Sequence, residues 1–252
     1  MSIEEIIEKS FNDLIKAITT DGTSSQLIFP KYRNKTVRYS EQELKQIFLK
    51  NVEEDKNYFY SIETPTEYVY CISNSDNPTV KEVHEKDDNY KSARFDVSLY
   101  NTDYKVNDNA SHHIEFKYGN PDQKNAICKD FLKLVSEVKF TNEKKNFFVH
   151  YLCVKTEKGW ESKTFPSLFK KYCDSIVDIE KTLKNETNLK NVTIYLLCFF
   201  EDSKSSSVYR FSLNDLKNYK VGTKYSDLTD KSWLNEEIFN LGEEIHFKEI
   251  KK

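Results

Sequence analysis

Asp96, Glu115 and Lys117 are the residues whose types and spacing point to chemistry. Glu115 and Lys117 stand two apart in HHIEFKYGN (112–120), and Asp96 lies in SARFDVSLY (92–100). Strand side chains alternate with period two, so His113, Glu115 and Lys117 share one face while His112, Ile114 and Phe116 share the other. The same alternation sets Ala93, Phe95, Val97 and Leu99 against Arg94, Asp96, Ser98 and Tyr100. Carboxylates on neighbouring strands are the oxygen donors that Mg²⁺ or Mn²⁺ prefers, and a lysine one step along can approach an attacking water or a phosphate. Metal-assisted phosphodiester hydrolysis is the chemistry this set suits. The plainer alternative is a surface ion pair of Asp96 with Arg94 or Lys117, worth about 0–1 kcal/mol.

The elements that must position these residues are legible on both sides of them. Ile3, Ile6, Ile7, Phe11, Leu14, Ile15 and Ile18 recur at helical spacing over 3–18. A second helix starts at Ser40, whose capping box with Glu43 opens a run to about Glu54. NYFYSIET and EYVYCIS predict a strand, or two broken at Pro65, and the two motif segments then form an antiparallel hairpin. Ala126, Ile127, Phe131, Leu134, Val135 and Val138 predict a helix over 124–138, followed by NFFVHYLCV as a strand buried on both faces. The helical stretch SLFKKYCDSIVDIEKTL and the strand NVTIYLLCFF repeat that order. From Ser205 a short strand, SVYRFSL, and one or two short helices complete a single α/β domain, a mixed sheet with helices on both faces.

Composition narrows the function further. The 252 residues are 38% hydrophobic and 14% aromatic, enough for a substantial core, and the net charge of -3 is not that of a generally basic nucleic-acid binder. Basic charge is instead local. Residues 116–173 hold twelve lysines against six acids, and Lys129 and Lys133, with Arg94, are the candidates to meet backbone phosphate. No apolar run spans a bilayer and the acidic, amphipathic N-terminus is not a leader, so the expectation is a cytoplasmic protein with no membrane partner. Cys71, Cys128, Cys153, Cys173 and Cys198 are odd in number with no C-x-x-C pair, and read as buried reduced thiols. Among the histidines, His150 reads as a hydrogen-bonded core residue and His113 as an exposed strand residue within reach of substrate.

With these elements in place, the order αβββαβ, carrying RFD in its second core strand and EFK in its third, resembles the PD-(D/E)XK nuclease superfamily. Asp96 matches the first acid of that motif, with Phe95 where the motif has proline, and Glu115 and Lys117 match its E-x-K. The strings RYSEQE, YFYSIETPTEY and SARFDVSLY are similar to a bacterial group within it, and the likeness covers about residues 38–155. The resemblance implies a restriction-endonuclease-like core over about 38–200, with the N-terminal helix and a C-terminal extension over about 205–252 added to it. It implies a Mg²⁺- or Mn²⁺-dependent nuclease acting on DNA ahead of RNA, with Asp96, Glu115 and the Phe116 main-chain carbonyl as ligands and Lys117 as the catalytic lysine. A further carboxylate from the first core helix is implied, here Glu43 ahead of Glu41, although the capping box already accounts for Glu43; Glu63 in SIETPT is a weaker candidate. The rival readings are a non-catalytic nucleic-acid-binding or regulatory protein on the same fold, and a defence or toxin component that needs a protein partner or a homodimer.

Overall fold

The computed structural model describes residues 1–19, 27–71, 79–82, 91–103, 109–121, 124–138, 145–183, 189–218 and 235–237. Two N-terminal helices, α1 (Ile3–Thr19) and α2 (Glu41–Asp55), precede β1 (Tyr58–Cys71), β2 (Thr79–Glu82), β3 (Lys91–Asn101) and β4 (His112–Tyr118). Then α3 (Lys124–Ser136) leads to β5 (Asn146–Val154); α4 (Glu157–Gly159) runs through a π-helical turn, Trp160–Thr164, into α5 (Phe165–Leu183). β6 (Val192–Phe200), β7 (Ser205–Ser212), α6 (Leu213–Asn218) and β8 (Asn235–Glu237) follow. The strands form one mixed sheet in the order β2-β1-β3-β4-β5-β6-β7-β8. Among the described strands only β4–β5 and β5–β6 pair in parallel, and these are the two steps with a long helix between the strands.

Each helix forms where its apolar stripe has a sheet face to cover. On one side α1 and α2 bury Ile7, Phe11, Leu14, Leu44, Phe48 and Val52 against Ile114, Phe116, Phe147, Val149 and Tyr195. On the other, α3 and α5 bury Ile127, Phe131, Leu134, Phe169, Tyr172 and Ile176 against Phe148, Leu152, Ile194 and Leu196. Alternate residues of β5 and β6 thus enter opposite cores, which is why those strands read as unbroken apolar runs. Segment 205–212 extends the same sheet through β6, while most of the tail beyond 218 lies outside the described residues. Among the described residues no helix is long and apolar enough to cross a membrane.

Two departures from simple strand geometry matter for the site. First, β1 is one strand and not two: a register shift between Pro65 and Val69 absorbs the proline, and β1 pairs antiparallel with both β2 and β3. Second, the residues expected on one face of β3 are divided between the two cores. Ala93 and Phe95 belong to the α3–α5 side, Val97 and Leu99 to the α1–α2 side. Strict alternation is lost at Asp96. The β1–β3 register pairs Ile62 with Val97 and Thr64 with Phe95 but omits Glu63 and Asp96 between them, and Glu63 has a left-handed backbone, φ 53°. Such a φ is uncommon outside glycine and concentrates at sites whose surroundings enforce it.

Candidate functional site

The β3–β4 ladder holds Leu99 to His112, Ser98 to His113 and Val97 to Ile114, and then stops. Asp96 and Glu115 are the next residues in line, where the two strands part. In place of a ladder bond, the Phe116 N–H donates to Asp96 Oδ2 at 2.8 Å. An extended residue points its N–H and C=O to the same edge, so the Phe116 carbonyl faces the same gap. The opening admits side chains from helices on both faces of the sheet. From α2, Lys45 Nζ lies 3.1 Å from Asp96 Oδ1 and 3.8 Å from Glu63 Oε1. From α3, Lys133 Nζ lies 2.5 Å from Glu115 Oε1 and 3.3 Å from Asp130 Oδ1, while Lys117 Nζ lies 2.8 Å from Asp130 Oδ2.

Four carboxylates, Glu41, Asp96, Glu115 and Asp130, therefore share this gap with three lysines, 45, 117 and 133. Burial pushes the Glu115 carboxyl well above its ordinary range, the negative charges of Asp130 and Asp96 add to that, and Lys133 works against it. Glu41 moves the same way, first through burial and then through Asp96 and Asp130, with Lys117 and Lys45 opposing. For Lys117 and Lys133 burial disfavours the ammonium, but Asp130 for the first and Glu115 with Asp130 for the second outweigh it and hold both above the usual lysine value.

The structure brings Asp96, Glu115 and Lys117 to one place, as the spacing suggested, but the partners differ from those expected. Asp96 pairs with Lys45, not with Arg94 or Lys117. Glu43 takes the capping role: its Oε2 accepts from Ser40 N at 2.7 Å and Ser40 Oγ at 2.6 Å, so of the two candidate acids on α2 it is Glu41 whose charge the site feels. Lys133, read as a surface phosphate contact, is instead buried, because its ammonium is drawn inward by Glu115, Asp130 and the Arg94 carbonyl, the last at 2.9 Å. Lys129 is exposed on α3, and Arg94 is 65% exposed, with Nη1 4.0 Å from Glu63 Oε2. His113 is buried and not exposed: it stacks on Phe95 at 4.0 Å and bonds Ser98 Oγ through Nδ1 at 2.8 Å. The local lysine excess is also partly consumed, since Lys145, Lys170 and Lys171 engage Glu4, Asp174 and Asn120.

Sequence reasoning missed Lys45 and Asp130. A signal was present for both: Glu41 and Lys45 are spaced i,i+4 on α2, and Asp130 interrupts the apolar stripe Ile127–Phe131–Leu134 three residues before Lys133. Four cysteines are free thiols, with Cys128, Cys173 and Cys198 buried and Cys153 half-buried; the side chain of Cys71 lies outside the described residues.

Among the described residues no group of three or more His, Cys, Asp or Glu side chains stands gathered as a ready metal site. Lysines are interposed between the carboxylates. The donor chemistry nevertheless fits a hard divalent ion: the carboxylates are oxygen donors and the Phe116 carbonyl faces them. No family model matches the chain, and no curated protein matches it. Among solved structures, the central domain of yeast acetyl-CoA carboxylase aligns with 84% of this chain and 33% of its own at 11% identity, with a TM-score of 0.32. This chain thus spans a third of that structure, and a likeness at that level carries no functional argument.

Proposed function

We propose that the chain is a Mg²⁺- or Mn²⁺-dependent nuclease of restriction-endonuclease-like fold that hydrolyses phosphodiester bonds, in DNA ahead of RNA, in the cytoplasm. The observation that carries this reading is the convergence of Asp96 and Glu115 beyond the last paired residues of β3 and β4, with Lys117 beside them. Setting aside the short edge strand β2 between β1 and β3, the succession α2, β1, β3, β4, α3, β5 supports it by matching the αβββαβ order of that fold. Asp96, Glu115 and the Phe116 carbonyl would hold the cation, whose charge polarises the phosphate and makes a water acidic. Lys45 pairs with Asp96, Asp130 holds the Lys117 ammonium, and Lys117 orients the water or meets charge developing on the phosphate. Arg94 and Lys129, both exposed, would contact backbone phosphates outside the gap.

Cleavage by the purified protein in Mn²⁺ of a panel of linear, circular and single-stranded DNA and of RNA tests the reading. Lys117→Ala is expected to cut about a hundredfold more slowly, as with loss of other preorganised charge stabilisers, with metal binding retained. In Asp96→Asn the upward shift of the melting curve by Mn²⁺ should largely vanish. A wild-type protein inert on every substrate, or a Lys117→Ala protein as active as wild type, overturns the reading. One observation favours a second one, a non-catalytic protein on the same fold: both motif acids already have a lysine partner, as a purely structural ion network would. Nucleic-acid binding without cleavage in the same panel would select it.

A further inference from the structure

A run of positive charge that the gap does not use lies just before α2. Residues 27–40, LIFPKYRNKTVRYS, hold Lys31, Arg33, Lys35 and Arg38 and no acid, in a chain whose net charge is -3. The chain folds there into a tight hairpin. Lys31 and Val37 form an antiparallel bridge, Tyr32 N donates to the Thr36 carbonyl at 2.9 Å, and Lys35 N donates to the Tyr32 carbonyl, also at 2.9 Å. Lys35 takes the left-handed backbone, φ 69°, that closes a three-residue loop of this kind. Asn34 Oδ1 pins the turn by accepting from Thr36 N at 3.1 Å and Thr36 Oγ1 at 2.7 Å. Arg33, Asn34 and Lys35 are therefore the tip, with Lys31 and Arg38 at the base. Residues 31–38 are all exposed, and among the described residues none of these four cations pairs with a carboxylate, whereas Lys45, Lys117, Lys133, Lys145 and Lys170 all do. Like charges gathered on one small hairpin repel, and a row of phosphates would offset that repulsion.

The base of the hairpin is tied to the candidate site. The Phe29 and Tyr39 rings meet edge-on at 5.3 Å, Tyr39 lies 6.2 Å from Tyr118, and the Ser40 carbonyl accepts from the Tyr151 hydroxyl at 2.5 Å. Tyr118 follows Lys117 on β4, and Arg38 stands three residues before Glu41, a span of at most about 11 Å. Glu41 in turn feels the charges of Lys117 and Asp96. We propose that hairpin 30–38 is a DNA-binding arm, in which Lys31, Arg33, Lys35 and Arg38 grip backbone phosphates of duplex DNA. That the arm presents the bound strand to Asp96 and Glu115 rests on the nuclease reading; the grip itself does not. Duplex DNA suits the shape, because its major groove, about 12 Å wide, admits a two-stranded ribbon. An anionic lipid surface fits less well, since the tip Arg33-Asn34-Lys35 carries no apolar residue to insert.

The test measures binding of a fluorescent random-sequence DNA duplex by anisotropy across a salt series, in EDTA so that no cleavage can occur. Replacing all four cations with Gln should lower the slope of log affinity against log salt by about 0.9 for each phosphate met, about 3.6 in all, and the tip pair Arg33→Gln with Lys35→Gln should lower it by about 1.8. The tip pair decides the matter if the fourfold variant does not fold, because both side chains are exposed and the Asn34 bonds that hold the turn are untouched. A wild-type protein that does not bind the duplex, or a slope unchanged in the tip pair, overturns the proposal. So does a single strand of equal length bound more tightly than the duplex, or phosphatidylserine vesicles bound more tightly than DNA and released by the tip pair. Cleavage in Mn²⁺ is scored separately. A flattened slope in a protein that cuts nothing keeps the arm and sinks the nuclease reading, whereas cleavage with an unchanged slope keeps that reading and sinks the arm.

Discussion

Around β5 a polar group is buried and kept neutral, whereas at the end of β3 and β4 several are buried and kept charged. His150 lies in the middle of NFFVHYLCV and is fully buried. Its Nε2 donates to the Gly119 carbonyl at 2.6 Å, which leaves Nδ1 to accept from the Tyr172 hydroxyl, also at 2.6 Å. Gly119 supplies that carbonyl from a left-handed backbone, φ 77°, just past the end of β4. Burial pushes the imidazole down to about 3, although the bond to Gly119 works the other way. Both ring nitrogens are satisfied, by Gly119 beyond β4 and by Tyr172 of α5, and no charge remains. The gap beside Asp96 is the opposite case: its acids are matched by lysines from α2, β4 and α3, and charge stays inside the protein. Burial alone therefore does not mark a site. A closed, neutral triad is a packing solution, while a coupled ionic set where two strands part is a candidate to bind something.

Removing a single partner on each side should set the two regions apart. Lys133→Met in the presence of chelator should cost about 3–5 kcal/mol, because Glu115 and Asp130 are then buried together without that cation; a denaturant midpoint within error of wild type would mean that water reaches the cluster. For His150 the linkage sign is fixed by its lowered folded value. The unfolded chain binds the proton more readily between about pH 6.5 and 3, so stability rises with pH across that window and is lost as pH falls through it. By pH 3 the loss should reach about 4 kcal/mol, since each pH unit between the unfolded and folded values contributes about 1.4 kcal/mol. Acid unfolding of wild type and His150→Gln isolates this contribution from that of the carboxylates, and identical pH profiles would show that the ring is not held neutral. Tyr172→Phe should cost about 1–3 kcal/mol, the penalty of leaving His150 Nδ1 without its donor, and unlike Lys133→Met it should be indifferent to Mn²⁺. The smallest effect belongs to the exposed rim: Lys129→Gln should lower the slope of log affinity for duplex DNA against log salt by about 0.9 if that lysine meets one phosphate, and an unchanged slope would assign it to solvent.

Much of the fold was legible because periodicity is a local property. The stripe Ile3, Ile6, Ile7, Phe11, Leu14 and Ile15 predicts α1, the Ser40–Glu43 capping box opens α2, and the unbroken apolar run of β5 shows that both its faces are covered. Of the site, the three motif residues were visible as types at a spacing, since Asp96 and Glu115 follow the last ladder pair whatever surrounds them. The alternation that placed Phe95 with Val97 failed because a strand's faces are set by its neighbours. Glu63, opposite Asp96 on β1, adopts a left-handed backbone and the pleat slips there.

Residue order alone was enough to place the starts of helices and strands, to show which of their faces are apolar, and to set two acids and a lysine on adjoining strands. Which charges meet was decided by packing. Lys45 and Asp96 are 51 residues apart, and Glu115 and Lys133 are 18 apart; both pairs exist because β3 and β4 separate just where α2 and α3 cross the sheet on opposite sides. The same packing turned Lys133 from a surface lysine into a buried one and gave Glu43 to the helix cap while Glu41 joined the site. Coulomb interaction and desolvation depend on distance and burial in space, and neither quantity is carried by spacing along a chain.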